Sequence, residues 1–390
     1  MILLNKSIPL INTYNPSDPK ITWTDNKTAA IDTLSQQPGF DFEAWYALFS
    51  CENSFKIYNM KDLIDKESLG RIVNKQAFLI LDNTLEPFER AIDSIYQNIV
   101  MRDGIPASQI ILLTNMYDAG EYSRYIAKKL NLDPIRIFWY TVFEQDLQNA
   151  VLHLYKKQLP RTLENKKYNK KFLNLNRRWR LHRPFLTALL YGKNLIEQAF
   201  ISFGPCDQRD TWNHKWPELM HYFRNDKDIL DILKRAEGVK NLPPMYLDTE
   251  ELHINRAEST IDTNRYYEDT YFSVVAETTY FTKEWYHSAR FLSEKAWKPI
   301  AMKHPFILVS VPNSLDIYRI MGYKTFSSII DESYDLETDD GKRMLKILDE
   351  IERLCNLSET ELENFLKSAR EICDYNYNML MSKKRFITEL

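Results

Sequence analysis

Apolar and polar positions alternate along this chain in blocks whose period shifts from strand to helix and back. Ala77-Phe78-Leu79-Ile80-Leu81 is a continuous apolar run of buried-strand length, and Pro87 to Ile92 opens a helix whose stripe continues at Ile95 and Ile99. Ile110 to Thr114 repeats the strand pattern, a helix is expected around Glu121 to Leu130, and Ile135 to Trp139 reads as a third strand. After a polar, basic stretch from Lys156 to Lys171 the alternation resumes, with a strand at Phe172 to Asn176, a helix from Pro184 to Tyr191 and a strand at Gln198 to Phe203. Between Asp207 and Tyr267 the pattern is irregular, apart from a helix over Lys227 to Arg235. It then sharpens into strand Tyr271 to Val275, helix Ser293 to Lys303 and strand Pro305 to Val311. The end is helical: Met344, Ile347, Leu348, Ile351 and Leu354 share one face, and Ser358 with Glu361 forms a capping box ahead of Leu362, Phe365, Leu366 and Ala369.

Strands alternating with helices at this spacing predict parallel β-α-β units, whose ligands sit beyond the carboxyl ends of the strands. The length of 390 residues exceeds what one core usually organises. Three regions follow: an N-terminal Rossmann-like domain over 1–160, a C-terminal one over 161–340, and terminal helices over 341–390 expected to pack back toward the N-terminal domain.

Composition narrows the chemistry. Four cysteines are scattered without C-x-x-C spacing, and seven histidines form no H-x-x-x-H or H-E-x-x-H pattern, so neither a disulfide framework nor a protein-bound metal is expected. No G-x-G-x-x-G or Walker loop is present. No apolar run approaches the roughly 20 residues of a membrane-spanning helix, and the N-terminus lacks a secretory pattern. A cytoplasmic protein is expected. Glycine is scarce, at 9 residues, so positive-φ turns should fall often to Asn or Asp. With a net charge of only −3, any grip on a polyanion must come from local clusters.

Two such clusters stand out. In Phe291-Leu292-Ser293-Glu294-Lys295-Ala296-Trp297-Lys298-Pro299, Ser293 can cap a helix whose free N–H groups favour a phosphate. Lys295 adds a charge there and Glu294 could accept from ribose hydroxyls, although the same pattern fits a capped surface helix, and Pro299 should kink it. In Phe172-Leu173-Asn174-Leu175-Asn176-Arg177-Arg178-Trp179-Arg180-Leu181-His182-Arg183 a strand runs into a loop dense in guanidinium groups, which match phosphate oxygens in bidentate fashion.

The succession Phe272-Ser273-Val274-Val275-Ala276-Glu277-Thr278, then Phe291 to Lys295, then Pro305-Phe306-Ile307-Leu308-Val309 resembles the donor-site core of the α-1,3-fucosyltransferase and exostosin-like GT-B glycosyltransferases. The stretch Met321 to Phe326, with Asp331 to Asp335, resembles a signature of glycosyltransferase-like proteins of tailed phages and marine bacteria. The resemblance spans roughly residues 171–335. It implies an α/β GT-B architecture of two Rossmann-like domains facing across a cleft. It also implies transfer of a sugar from a UDP- or GDP-sugar to an acceptor hydroxyl. Donor-binding residues would be Arg180, Arg183, Glu277, Ser293, Glu294 and Lys295, with Arg183 the best match to the family's arginine.

If the reaction inverts the anomeric centre, the acceptor must lose a proton to a base. Asp82, Glu86 and Asp118 lie where N-terminal strands should end and are the catalytic candidates, each also suited to capping a helix or bracing a turn. Basic and aromatic residues interleave from Arg161 to Arg183. Lys166, Lys167, Lys170, Lys171, Arg177 and Arg178 are the nucleic-acid-binding candidates. They allow a narrower alternative, glucosyl or arabinosyl transfer to 5-hydroxymethylpyrimidines in DNA. Otherwise the acceptor would be a glycan. A non-catalytic GT-B-like scaffold is the reading from outside enzymology.

Overall fold

The computed structural model describes residues 64, 66–84, 90–154, 168–176, 178–204, 210–245, 247, 264–282, 289–382 and 387–389, with the strand backbones at 3–7, 10–12, 21–22 and 43–50. The chain is an α/β protein with two largely parallel sheets in two compact units. Unit 1 comprises Met1–Gln145, Ala289–Phe291 and Lys384–Leu390; unit 2 comprises Asp146–Ser288 and Leu292–Lys383. The division therefore falls before the basic stretch, inside helix Val142–Leu154, and the two long terminal helices belong to unit 2.

In unit 1 the strands are β1 (Leu3–Ser7), β2 (Leu10–Asn12), β3 (Ile21–Thr22), β4 (Glu43–Ser50), β5 (Phe78–Asn83), β6 (Ile110–Thr114), β7 (Arg136–Tyr140) and β12 (Ile387–Glu389). They run in the order β12-β7-β6-β5-β4-β2-β3, with β1 also on β4. Among its described strands, only the β7–β12 and β2–β3 pairs are antiparallel. Ile110 to Thr114 are buried on both faces, as a parallel sheet covered by helices requires. The stripe of Ile95 and Ile99 is buried, but on a π-helical stretch, Ile95–Arg102, that continues helix Arg90–Ser94. Pro87 to Glu89 lie outside the described residues.

Unit 2 carries β8 (Lys170–Asn176), β9 (Ala199–Phe203), β10 (Thr270–Ala276) and β11 (Phe306–Val309), all parallel, in the order β11-β10-β8-β9. All seven residues of β10 are buried. Phe172 stacks on Phe272 at 5.6 Å between β8 and β10, and Trp297 and Tyr318 close the core on one face. Among the helices are His182–Gly192, Glu294–Ala301, Leu315–Ile320, Asp340–Cys355 and Glu359–Ser382. The last begins with the expected capping box: Ser358 N–H donates to Glu361 Oε2 at 2.8 Å, and Glu361 N–H returns to Ser358 Oγ at 3.4 Å. Positive-φ positions include Asn131, Asn194 and Asn313, as the glycine shortage predicts, together with Lys75 and Lys303. No helix among the described residues is long and apolar enough to cross a membrane.

Asp335, 4% exposed, accepts the Leu315 N–H at 3.2 and 3.3 Å. Burial pushes its carboxyl up to about 7, against the pull of that N–H and Arg319. The folded state thus holds a proton that the unfolded chain releases near pH 4. This group's contribution falls as pH rises from about 4 to 7 and is flat above, a loss of up to about 4 kcal/mol. Asp335→Asn keeps an acceptor for Leu315 N–H and removes the ionisation. Its melting temperature, compared with wild type across pH, is expected to match near pH 4 and to lie higher at pH 8. An equal offset at both pH values would contradict this.

Candidate functional site

The order β11-β10-β8-β9 contains one reversal: the chain leaves β8 toward β9 on one side, and leaves β10 toward β11 on the other. In open parallel sheets, ligands bind outside the carboxyl ends of the two strands that flank such a reversal. Those ends are Asn176 on β8 and Ala276-Glu277 on β10.

Several predicted residues meet there. Arg183, in the first turn of helix His182–Gly192 and 2% exposed, reaches three carbonyls. Its Nη1 donates to Arg178 O at 2.9 Å, and its Nη2 to Ala276 O and Glu277 O, each at 3.1 Å. The guanidinium fork thereby ties the loop after β8 to the end of β10. His182 reinforces the joint, with Nε2 2.9 Å from Glu277 O. A carbonyl only accepts, so Nε2 carries the proton. Burial, and then the adjacent Arg183 charge, hold the imidazole well below its usual pKa, so it is neutral.

Glu277 is fully buried. Its Oε1 accepts Ser293 N–H at 2.9 Å, and its Oε2 accepts Ser293 Oγ–H at 2.7 Å and Thr278 N–H at 2.9 Å. Burial raises its pKa, opposed chiefly by Lys295. Glu277 thus sets the start of helix Glu294–Ala301, where Ser293 Oγ caps Lys295 N–H at 3.4 Å. Lys295 Nζ lies 3.1 Å from Ser293 Oγ and 2.7 Å from Glu294 Oε1, with side-chain exposures of 27% for Lys295 and 45% for Glu294. Pro299 falls in the last turn of a helix that ends at Ala301. The outcome is a buried frame of Arg183, His182, Glu277 and Ser293, carrying a partly exposed Lys295–Glu294 pair. Arg178 and Arg180 are exposed on the loop after β8.

Other candidates lie elsewhere. Lys170 and Lys171 sit at the amino end of β8, a seven-residue strand, about 20 Å in length, away from Arg178. There Lys170 Nζ donates to Glu197 O at 2.6 Å, and Lys171 Nζ lies 5.5 Å from the Tyr271 ring centroid. In unit 1, Asp118 follows β6 and is held by Arg290, whose backbone N–H donates to Oδ2 at 2.9 Å and whose Nε donates to Oδ1 at 3.0 Å. Arg290 also covers the Tyr117 ring at 4.6 Å. Asp82 is the penultimate residue of β5, and its side chain lies outside the described residues, as do Glu86, Lys166, Lys167 and Arg177. Among the described residues, no cluster of three or more His, Cys, Asp or Glu is placed to hold a metal ion.

No family model matches the sequence, and neither does any curated protein sequence. Solved structures do resemble it in chain course. A UDP-forming α,α-trehalose-phosphate synthase from Burkholderia xenovorans is 8% identical, with 86% of this chain and 70% of that one covered at a TM-score of 0.40. The N-terminal domain of trehalose-6-phosphate phosphatase from Candida albicans is 11% identical, covering 90% and 71% at 0.39. TarM from S. aureus, solved with Fondaparinux, alpha-GlcNAc-glycerol and UDP, is 11% identical, covering 87% of this chain and 55% of that one at 0.34.

The sequence marks Asn174 and Asn176 as an Asn-rich strand end and His182 as part of a basic and aromatic loop, but neither the pairing of the two amides, 0% and 4% exposed, nor His182 as a strut. The available signal was two asparagines at i and i+2 on one face of the strand's end.

Proposed function

We propose that this chain is a GT-B-type glycosyltransferase whose unit 2 binds a nucleotide sugar at the carboxyl ends of β8 and β10. The supporting observation is the Glu277-Ser293-Lys295 network at the sheet's reversal. A buried carboxylate holds a helix N-terminus in place, and a partly exposed ammonium stands beside its free N–H groups. That arrangement suits a diphosphate. As the bond from the anomeric carbon to the diphosphate oxygen breaks, charge grows on the leaving group, and Lys295 with the helix N–H groups would stabilise it. Arg180 is a second exposed cation for the same group. Arg183, spent on three carbonyls, would act by holding the loop. Glu294 would accept from ribose hydroxyls, and no residue in this scheme needs a protein-bound metal.

If transfer inverts the anomeric centre, the candidate bases are Asp82, Glu86 and Asp118, of which Asp118 already accepts from Arg290. The fucosyltransferase-like and phage-type resemblance belongs to this reading, as does a glycan acceptor. A hydroxymethylated DNA acceptor is a second version, favoured by exposed Arg178 and Arg180 beside the site.

A thermal-shift screen of UDP, GDP, CDP and dTDP with their sugars tests the donor site. A nucleotide present at 100 times its Kd should stabilise the fold by about 2.7 kcal/mol. Product assays on simple glycans and on hydroxymethylated DNA then name the acceptor, and a DNA affinity that falls steeply with salt would support the second version. If no nucleotide raises the melting temperature, the enzymatic reading fails and a binding scaffold takes its place.

A further inference from the structure

Within the frame around Glu277, one chain of hydrogen bonds ends without a partner. Asn174 Nδ2 donates to Val274 O at 2.7 Å, and a backbone carbonyl can only accept, so the orientation of the Asn174 amide is decided. Its oxygen must then face the next donor, which is Asn176 Nδ2. That contact in turn decides the Asn176 amide, and Asn176 Oδ1 is left buried with no hydrogen-bond donor among the described residues. Swapping oxygen and nitrogen at Asn176 would set two oxygens against each other, so the assignment does not rest on an arbitrary choice of amide orientation.

The backbone of Asn176 is anchored independently. Its N–H donates to Ser202 Oγ at 3.1 Å, and its carbonyl accepts from the same hydroxyl at 3.3 Å. Parallel pairing of Ser273 with Leu173 continues to bring Asn176 level with Ala276, one residue before Glu277. The orphan acceptor therefore sits at the sheet's reversal, where the topology places a ligand. A buried acceptor with no donor costs more than an average hydrogen bond contributes, so an apolar residue would serve the fold better at this position.

We infer that Asn176 Oδ1 is a specificity determinant that accepts a hydrogen bond from an O–H or N–H of the bound molecule. The inference rests on reading this edge as the donor site. Phosphate oxygens at neutral pH are acceptors, so Asn176 does not read the diphosphate that Lys295 would hold. Its partner is a ribose hydroxyl, a hydroxyl of the transferred sugar, or a ring N–H of the base. These share one chemistry and can be told apart with analogues.

Calorimetric titrations of wild type and Asn176→Leu would use UDP and GDP, their 2′-deoxy and 3′-deoxy forms, their N3-methyluracil and N1-methylguanine forms, and UDP-glucose and GDP-mannose. The expected result is about a ten-fold weaker affinity of wild type for the one compound that lacks the donor group, with that difference abolished in Asn176→Leu. The discriminated compound names the source. Asn176→Ala carries the same comparison if the leucine variant does not fold. Nucleotide binding by both proteins, with every analogue weakened equally in each, overturns the inference and leaves the donor site standing. Binding of no nucleotide to either protein overturns both.

Discussion

On the glycosyltransferase reading proposed above, replacing Lys295 with alanine is expected to lower kcat by about 100-fold or more and to abolish the thermal shift given by a bound nucleotide. The reason lies in what Lys295 does not hold. Glu277 meets Ser293 through its backbone N–H and its hydroxyl, so the helix start keeps its place without the lysine side chain. Among the described residues the Lys295 ammonium contacts Ser293 Oγ and the half-exposed Glu294, a pair worth less than about 1 kcal/mol to stability, and its charge also favours the buried Glu277 carboxylate. Its ammonium is partly exposed, and on the proposed reading it faces the diphosphate. Fluorimetric melting of the free variant should show only a modest drop, from the lost charge beside buried Glu277, while initial rates and nucleotide titrations should differ greatly. Lys295→Ala with unchanged rates and an intact nucleotide shift would remove the main support for a diphosphate at this helix.

The short-range parts of this site are legible in the sequence. An apolar run such as Phe306 to Val309 identifies a buried strand, because both faces of a parallel strand are covered, and the one polar interruption of Phe272 to Val275, Ser273, is paired with His304. Ser293 before Glu294 is a helix start, for the local reason that its hydroxyl replaces a missing acceptor. Strand order is a different kind of fact. Nothing local to Phe172 or Phe272 says that β8 lies between β9 and β10, so neither the reversal nor the meeting of Arg183 with Glu277 could be read along the chain. The change in composition near residue 160 marks a basic connection, whereas the two compact units divide within helix Val142–Leu154. Asn174 and Asn176 show the limit most clearly. Their spacing shows a polar face, but which amide atom lacks a partner depends on the Val274 carbonyl, a hundred residues later.

Arg343→Met is expected to be the most destabilising single change in unit 2, by about 3–5 kcal/mol. Arg343 is 1% exposed and works in four directions at once. Its Nε donates to Ser310 O at 3.1 Å, its Nη1 to Glu337 O at 2.9 Å, and its Nη2 to Tyr280 O at 2.6 Å and to Asp340 Oδ1 at 2.7 Å. Its plane also lies 4.3 Å from the Tyr280 ring centroid. One side chain thus joins helix Asp340–Cys355 to the segments that follow β10 and β11. Methionine fills the volume but leaves three carbonyls without that donor and Asp340, 1% exposed, without its cation, held only by the Tyr222 hydroxyl and by the N–H and hydroxyl of Thr282 among the described residues. Lysine would not replace the arginine, since a point charge with tetrahedral donors cannot span carbonyls arranged around a planar fork. Urea unfolding followed by tryptophan fluorescence measures the loss, and a change below about 1 kcal/mol would show that the network carries little of the stability. The effect should also reach the ligand. Tyr280 stacks on His182 at 5.4 Å, and His182 holds the Glu277 carbonyl, so loosening Tyr280 loosens the joint on which the helix start depends. Weaker nucleotide binding by Arg343→Met under conditions where it remains folded would trace that connection, whereas unchanged binding would confine Arg343 to stability alone.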